Sequence, residues 1–295
     1  MEIFGENYLN PKNSLEKQSS TELYLKSFFH SGIQYQFKLA KRQSVISLMP
    51  KIIQLRIKGF FDLIIKDKIA NNLFNDSKTT RCSNFRIIKL NRGAQKIISE
   101  KMLKEKLIIQ VDLDSGSTSL IPEFKWVFDL LNITNTCFKE FDKNPSYINK
   151  QTHESVLTAI LLKLDNALSV ETPIWLKQQR RITDYMNLKE ESFNFSYSKS
   201  ITGHIDLLLY DEISCSLIIA DYKPEGFFLR SLPQIAFYAF ILKRILNIPD
   251  LNFRCLSFNR EKAWIYKPRV LIDIHNEIKK YGNPNLIWRN FLKSI

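Results

Sequence analysis

From Gly203 to Lys223 the sequence reads GHIDLLLYDEISCSLIIADYK, two apolar runs at 205–210 and 214–222 separated by Asp211-Glu212. Each run is too short for a helix and rich in Leu and Ile, so the stretch is expected to fold as a buried β-hairpin with a turn at 211–212. This hairpin constrains the rest of the chain. Asp206 lies near the start of the first strand and Asp221 near the end of the second, and antiparallel pairing brings them to the same edge of the sheet. Lys223 follows Asp221 by two residues and projects to the same face. Two carboxylates that meet in this way need a cation.

Hard oxygen ligands with open positions suit Mg²⁺ or Mn²⁺, and phosphodiester hydrolysis is the reaction such a site serves. A lysine beside it can orient a water or stabilise developing negative charge. Further along, Gln234-Ile-Ala-Phe-Tyr238 places a glutamine and a tyrosine one helical turn apart. Taken in order, Gly203-His-Ile-Asp206, Asp221-Tyr-Lys223 and Gln234-Ile-Ala-Phe-Tyr238 resemble the G-x-x-D, (D/E)-x-K and Q-x-x-x-Y motifs of the PD-(D/E)XK nucleases. Within that superfamily they resemble the RecB-like branch, which includes CRISPR-associated and recombination nucleases. The resemblance covers about the last half of the chain. It implies metal ligation by Asp206, Asp221 and the Tyr222 carbonyl, catalysis by Lys223, and a site-organising role for Gln234 and Tyr238. It also implies an additional ligand on the helix before the first core strand, where His153 is the matching position and the adjacent Glu154 its competitor.

The two can be weighed on the helical stripe formed by Val156, Leu157, Ile160, Leu161 and Leu164. His153 lies three and four residues before Val156 and Leu157, at the end of that stripe, whereas Glu154 is offset by one position. His153 is therefore preferred.

A formal net charge of +13 over 295 residues points to a polyanionic partner. DNA is the expected substrate, with RNA left open. Arg180 and Arg181 stand in a stretch, 177–200, that interleaves cations with Tyr185, Phe193, Phe195 and Tyr197. That stretch reads equally as a nucleic-acid-facing loop or as a surface loop whose rings return to the core. Arg230, before the Q-x-x-x-Y helix, joins these two as an expected phosphate contact. Cys82, Cys137, Cys215 and Cys255 are far apart, with no C-x-x-C spacing, so neither a zinc site nor a disulfide framework is expected. The resemblance implies no iron–sulfur cluster, because the chain lacks the grouping of one cysteine before the core and three near the C-terminus that carries it in some RecB-like nucleases. The N-terminus has no basic start or apolar h-region, and no stretch approaches a membrane span, so a soluble cytoplasmic protein is expected.

The expected fold class is α/β, a restriction-endonuclease-like mixed sheet with core order αβββαββ in residues 146–295. It is preceded by an α+β region over 1–145, a candidate substrate-binding part whose fold the sequence does not name. In the N-terminal half, 21–29 reads as a short amphipathic helix, 51–58 and 60–65 as extended segments, 92–106 as a helix, 107–113 as a strand and 124–131 as a short helix. Asn144-Pro145-Ser146 marks the expected boundary. Gly59-Phe-Phe-Asp62 and Asp76-Ser-Lys78 repeat the motif pattern. However, NNLFNDSKTT is turn chemistry and no Q-x-x-x-Y helix follows, so one active site is expected.

The second half reads as a helix over 151–168, a strand over 168–176, the hairpin, a helix over 232–246 with Pro233 in its first turn, a closing hairpin at 253–258 and 263–266, and helices at 272–281 and 286–292. The function these features imply is a metal-dependent deoxyribonuclease. The alternative is a basic nucleic-acid-binding protein, or a subunit of a repair or defence complex with further protein partners, whose nuclease core is inactive.

Overall fold

The computed structural model describes residues 22–41, 44–88, 90–115, 124–142, 152–177, 193–195, 199–224, 228–248, 250–282 and 286–294. In chain order the principal elements are β1 (Leu23–His30), β2 (Ile33–Ala40), α1 (Lys51–Ile65), β3 (Thr80–Arg81), α2 (Arg92–Lys104), β4 (Ile108–Asp112), α3 (Lys125–Asp142) and α4 (Thr152–Lys163). They continue with β5 (Ala167–Leu176), β6 (Phe193–Phe195), β7 (Ile201–Asp211), β8 (Ser216–Tyr222), α5 (Phe228–Leu246), β9 (Asn252–Phe258), β10 (Lys262–Tyr266), α6 (Val270–Lys279) and β11 (Leu292–Ser294).

The main sheet runs β1-β2-β5-β7-β8-β9-β10-β4, with β3 added beside β7, and β6 pairs with β11 apart from it. Pairing is antiparallel except for β8 with β9 and β3 with β7. The sheet is mixed, and the expected order is present as α4, β5, β7, β8, α5, β9 and β10. Strands β1, β2 and β4 come from the N-terminal half and extend this same sheet at its two ends.

The continuous apolar runs of β7 and β8 follow from burial on both faces. Leu208, Tyr210, Leu217 and Ile219 pack with side chains of α1, α2, α5 and α6. Leu207, Leu209, Ile218, Ala220 and Tyr222 pack with α3 and α4 on the opposite face. The sheet is thus the middle of three layers.

Several elements differ from their sequence reading. Residues 23–30, expected as a helix, form β1, because Ser31 and Gly32 with φ of 51° and 77° close a tight hairpin onto the alternating IQYQF segment. Residues 51–65, expected to be extended, form α1. Its buried residues Ile53, Ile57, Phe60, Phe61 and Ile64 keep helical spacing over the whole segment, whereas Leu55, which made the local pattern look alternating, is 59% exposed.

Helix α3 extends to Asp142, beyond the short helix expected, with Val127, Leu130, Leu131, Thr134 and Cys137 on its buried side. Helix α5 begins one turn earlier than expected, at Phe228, so Pro233 lies inside it and removes one backbone hydrogen bond. The expected terminal helix at 286–292 is a short 3₁₀ turn, Ile287–Phe291, followed by β11. The boundary at 144–146 lies outside the described residues.

Candidate metal centre

The register across the sheet builds the site. Leu207 pairs with Ala220, so Asp206 and Asp221 are the next residues out on β7 and β8. On the other side Val170 pairs with Leu207 and Thr172 with Ile205, which sets Glu171 of β5 beside Asp206. Asp221 in turn pairs with Ser257 on β9. Three carboxylates therefore lie in one row across three neighbouring strands, where like charges repel. Glu171 has a φ of 50°, a conformation that a non-glycine residue rarely adopts, at the point where it meets this row.

His204, two residues before Asp206, brings Nε2 to 3.6 Å from Glu171 Oε2. One ligand atom each from Glu171, His204 and Asp206 lies within 4.8 Å of the others, a group able to hold a metal ion. Buried oxygens need partners, yet Glu171 Oε2 and Asp221 Oδ1 have no hydrogen bond within the protein. An oxygen-rich donor set with such free positions fits a hard divalent cation.

The flanking cations are placed by the elements on either side. Lys223, just past β8, has Nζ 2.6 Å from Asp221 Oδ2. His153, in the first turn of α4, has Nε2 3.2 Å from Asp206 Oδ2, and its ring lies 5.4 Å from that of Tyr222. The Tyr222 amide donates to the same Asp206 oxygen at 3.3 Å. Glu154 turns away and pairs at 2.7 Å with Lys38 of β2. Of the two candidates on α4, it is His153 that reaches the carboxylates.

Electrostatics follow from this crowding. Burial, and then the neighbouring Asp206, push Glu171 up to about 8 and Asp221 up to about 7. Burial would raise Asp206 as well, but the hydrogen bond and charge of His153, followed by Lys223, hold it well below the usual carboxylate range. Burial disfavours the His153 imidazolium, but Asp206, with Glu171 and Asp221 behind it, pushes the ring up to about 9. Metal ligation by His153 takes its neutral form, so pairing with Asp206 as a cation and binding a metal are alternative uses of one side chain. Lys223 is raised against the effect of burial by Asp221 and Asp206, and stays charged.

Behind the row, Gln234 Nε2 donates to Tyr238 Oη at 2.7 Å, with both side chains buried on α5. A Cβ at Gly203 would lie 2.5 Å from Tyr238 Cε1. The first motif's glycine therefore leaves room for the third motif's tyrosine. Arg230 is exposed near the start of α5, and Arg180 and Arg181 lie outside the described residues. Asp62 pairs with Lys66 on α1 at 3.0 Å, and Asp76 accepts from the Lys78 amide at 2.9 Å, so each of the repeated-motif carboxylates has a local partner.

Glu171 and His204 are the site residues the sequence reading did not single out. The sequence signal for His204 was its place two residues before Asp206 on the same strand, whereas Glu171 falls on the neighbouring strand and only register converts that into proximity. No family model, curated protein or solved structure matches this chain. Among the described residues no helix is long and apolar enough to cross a membrane.

Proposed function

We propose that this chain is a Mg²⁺- or Mn²⁺-dependent nuclease of the RecB-like PD-(D/E)XK type that hydrolyses DNA phosphodiester bonds. The observation that carries the reading is the carboxylate row of Glu171, Asp206 and Asp221 with the Lys223 ammonium 2.6 Å from Asp221. The net charge of +13 supports a polyanionic substrate. Asp206 is common to two donor sets, one with His153, Asp221 and the Tyr222 carbonyl, the other with Glu171 and His204. A cation held there would polarise a phosphoryl oxygen and make a bound water more acidic.

The protein's own groups supply the rest. Lys223 presents a permanent charge where negative charge develops, and Asp221 fixes its amine. Tyr238 and Gln234 form a rigid backing for β7, and burial of the row keeps competing water away from the carboxylates.

The test is cleavage of linear, circular and single-stranded DNA with and without Mn²⁺, for the wild type and for Asp206→Ala, Asp221→Ala and Lys223→Ala. Each variant is expected to lose at least a hundredfold in rate while its thermal unfolding stays cooperative. Added Mn²⁺ should raise the Tm of the wild type but not of Asp206→Ala. Wild-type cleavage by Asp221→Ala would sink the assignment.

A further inference from the structure

At its first two residues β7 is bonded on both flanks. Strand β5 pairs along one flank from Leu176 with Ile201 to Ala167 with Leu209. Strand β3, paired through Thr80 with Ile201 and Arg81 with Thr202, must therefore lie on the other. That is the flank β8 occupies from Leu207 to Asp211. Being parallel to β7, β3 runs toward Asp206 and ends at Arg81. Being antiparallel, β8 runs toward it from the opposite direction and ends at Tyr222. The two strand ends face one another across residues 203–206 of β7, the stretch that carries Asp206.

The segment that follows β3 is firmly held. Cys82 and Phe85 are fully buried, with the Phe85 ring 4.5 Å from that of Phe237 on α5. The Ile87 amide donates to the Arg230 carbonyl at 3.0 Å, and Trp288 Nε1 donates to the Arg86 carbonyl at 3.2 Å. This fixed segment carries two arginines, Arg81 at the β3 end that faces the gap and Arg86 beyond it, and among the described residues neither is in an ion pair. Arg81 Nε is buried with no hydrogen-bond partner, while Arg86 is exposed. A buried guanidinium N–H left without an acceptor beside a phosphodiester-cleaving centre calls for an oxyanion, and the planar fork of arginine matches phosphate.

We propose that Arg81 and Arg86 bind backbone phosphates of the nucleic-acid strand that crosses the gap between the ends of β3 and β8. The N-terminal half thereby forms part of the substrate site. The inference rests on the nuclease reading above.

The test uses the full chain carrying Asp221→Asn to stop turnover, titrated with labelled single-stranded and duplex oligonucleotides from 50 to 300 mM salt. Arg81→Gln and Arg86→Gln, each added to that background, should weaken binding roughly three- to tenfold at 150 mM salt. Each should also reduce the slope of log K against log salt by about 0.7–0.9, one phosphate contact apiece. Arg81→Lys, which keeps the charge, should retain most of the slope. Exposed Arg86 is safe to replace, and Tm reports whether the Arg81 variants fold.

An unchanged slope in a folded Arg81→Gln or in Arg86→Gln overturns the assignment for that residue. If the parent binds no oligonucleotide even at 50 mM salt, and the active chain cleaves none, the nuclease reading itself fails. Binding by the parent and cleavage by the active chain, with both slopes unchanged, would remove the arginine assignment alone.

Discussion

A methyl group at residue 203 would meet Tyr238 Cε1 at 2.5 Å and Cys82 Cβ at 3.4 Å. Tyr238 is 1% exposed and held through its hydroxyl by Gln234, so it has no room to swing aside. Gly203→Ala is therefore expected to cost about 1–3 kcal/mol by overpacking and to shift β7 beneath Asp206. Urea denaturation should show the loss of stability, and cleavage should fall more than tenfold. His153 and Glu154 give a second contrast at this scale. His153→Ala should raise the Mn²⁺ concentration needed for half-maximal cleavage several-fold, whereas Glu154→Ala, whose carboxylate is turned to Lys38, should leave it within twofold. The reverse pattern would assign the ligand role to Glu154.

The pairs Asp221–Lys223 and Gln234–Tyr238 were legible because their spacing in the chain is their spacing in space, two along a strand and four along a helix. Glu171 and His204 were not legible as a pair, because they meet only through the alignment of β5 with β7.

At the scale of elements, the sequence was most readable where a segment is buried on both faces or has one unbroken helical stripe. Strands β7 and β8 and helix α4 fall where their periodicity places them. The misread segments carry apolar residues on their exposed sides. On α1, Ile52 and Leu55 are more than half exposed and hide its 3.6-residue period. On β1, exposed Leu25 and Phe29 give a helix-like spacing with buried residues, and the decisive signal was the Ser31-Gly32 turn.

Element packing also sets which residue of α4 meets the carboxylates. Lys38 of β2, only 8% exposed, donates to Thr158 at 2.9 Å and pairs with Glu154, fixing the rotation of α4. Lys38→Met should speed amide hydrogen exchange in the first turns of α4 and raise the Mn²⁺ requirement in the same direction as His153→Ala, but less.

The contact between α6 and the C-terminal turn gives a pH prediction. His275 has its ring 5.9 Å from that of Trp288, and burial, then Arg289 and Lys279, lower its pKa to about 4. An unfolded histidine titrates near 6.5, so between about 6.5 and 4 the unfolded chain binds a proton that the folded chain refuses. The stability contributed is complete above pH 6.5 and lost as pH falls to about 4. Thermal unfolding from pH 7 to 4 should show a shallower decline in His275→Gln than in the wild type.

For the whole molecule, the question is whether the second half of the chain can stand without the first. The core on the α5 face joins Phe37, Ile57, Phe60, Phe61, Phe85, Ile98 and Met102 from the N-terminal half to Leu208, Tyr210, Ile219, Phe237 and Phe240. Strand β2 covers the flank of β5 through Lys38 with Val170 and Leu39 with Ser169, and β4 covers that of β10 along five residue pairs. Removing residues 1–145 would bare two long strand edges and the apolar face of α5 together, a combination that favours aggregation over a folded monomer. Residues 146–295 expressed alone are therefore expected to be insoluble or to unfold without a cooperative transition, and co-expression with 1–145 should restore a soluble complex. The decisive comparison is the thermal unfolding of that fragment against the full chain. A fragment that melts cooperatively and cleaves DNA with the full chain's metal requirement would mean that the N-terminal strands only cover a sheet already able to hold its carboxylate row.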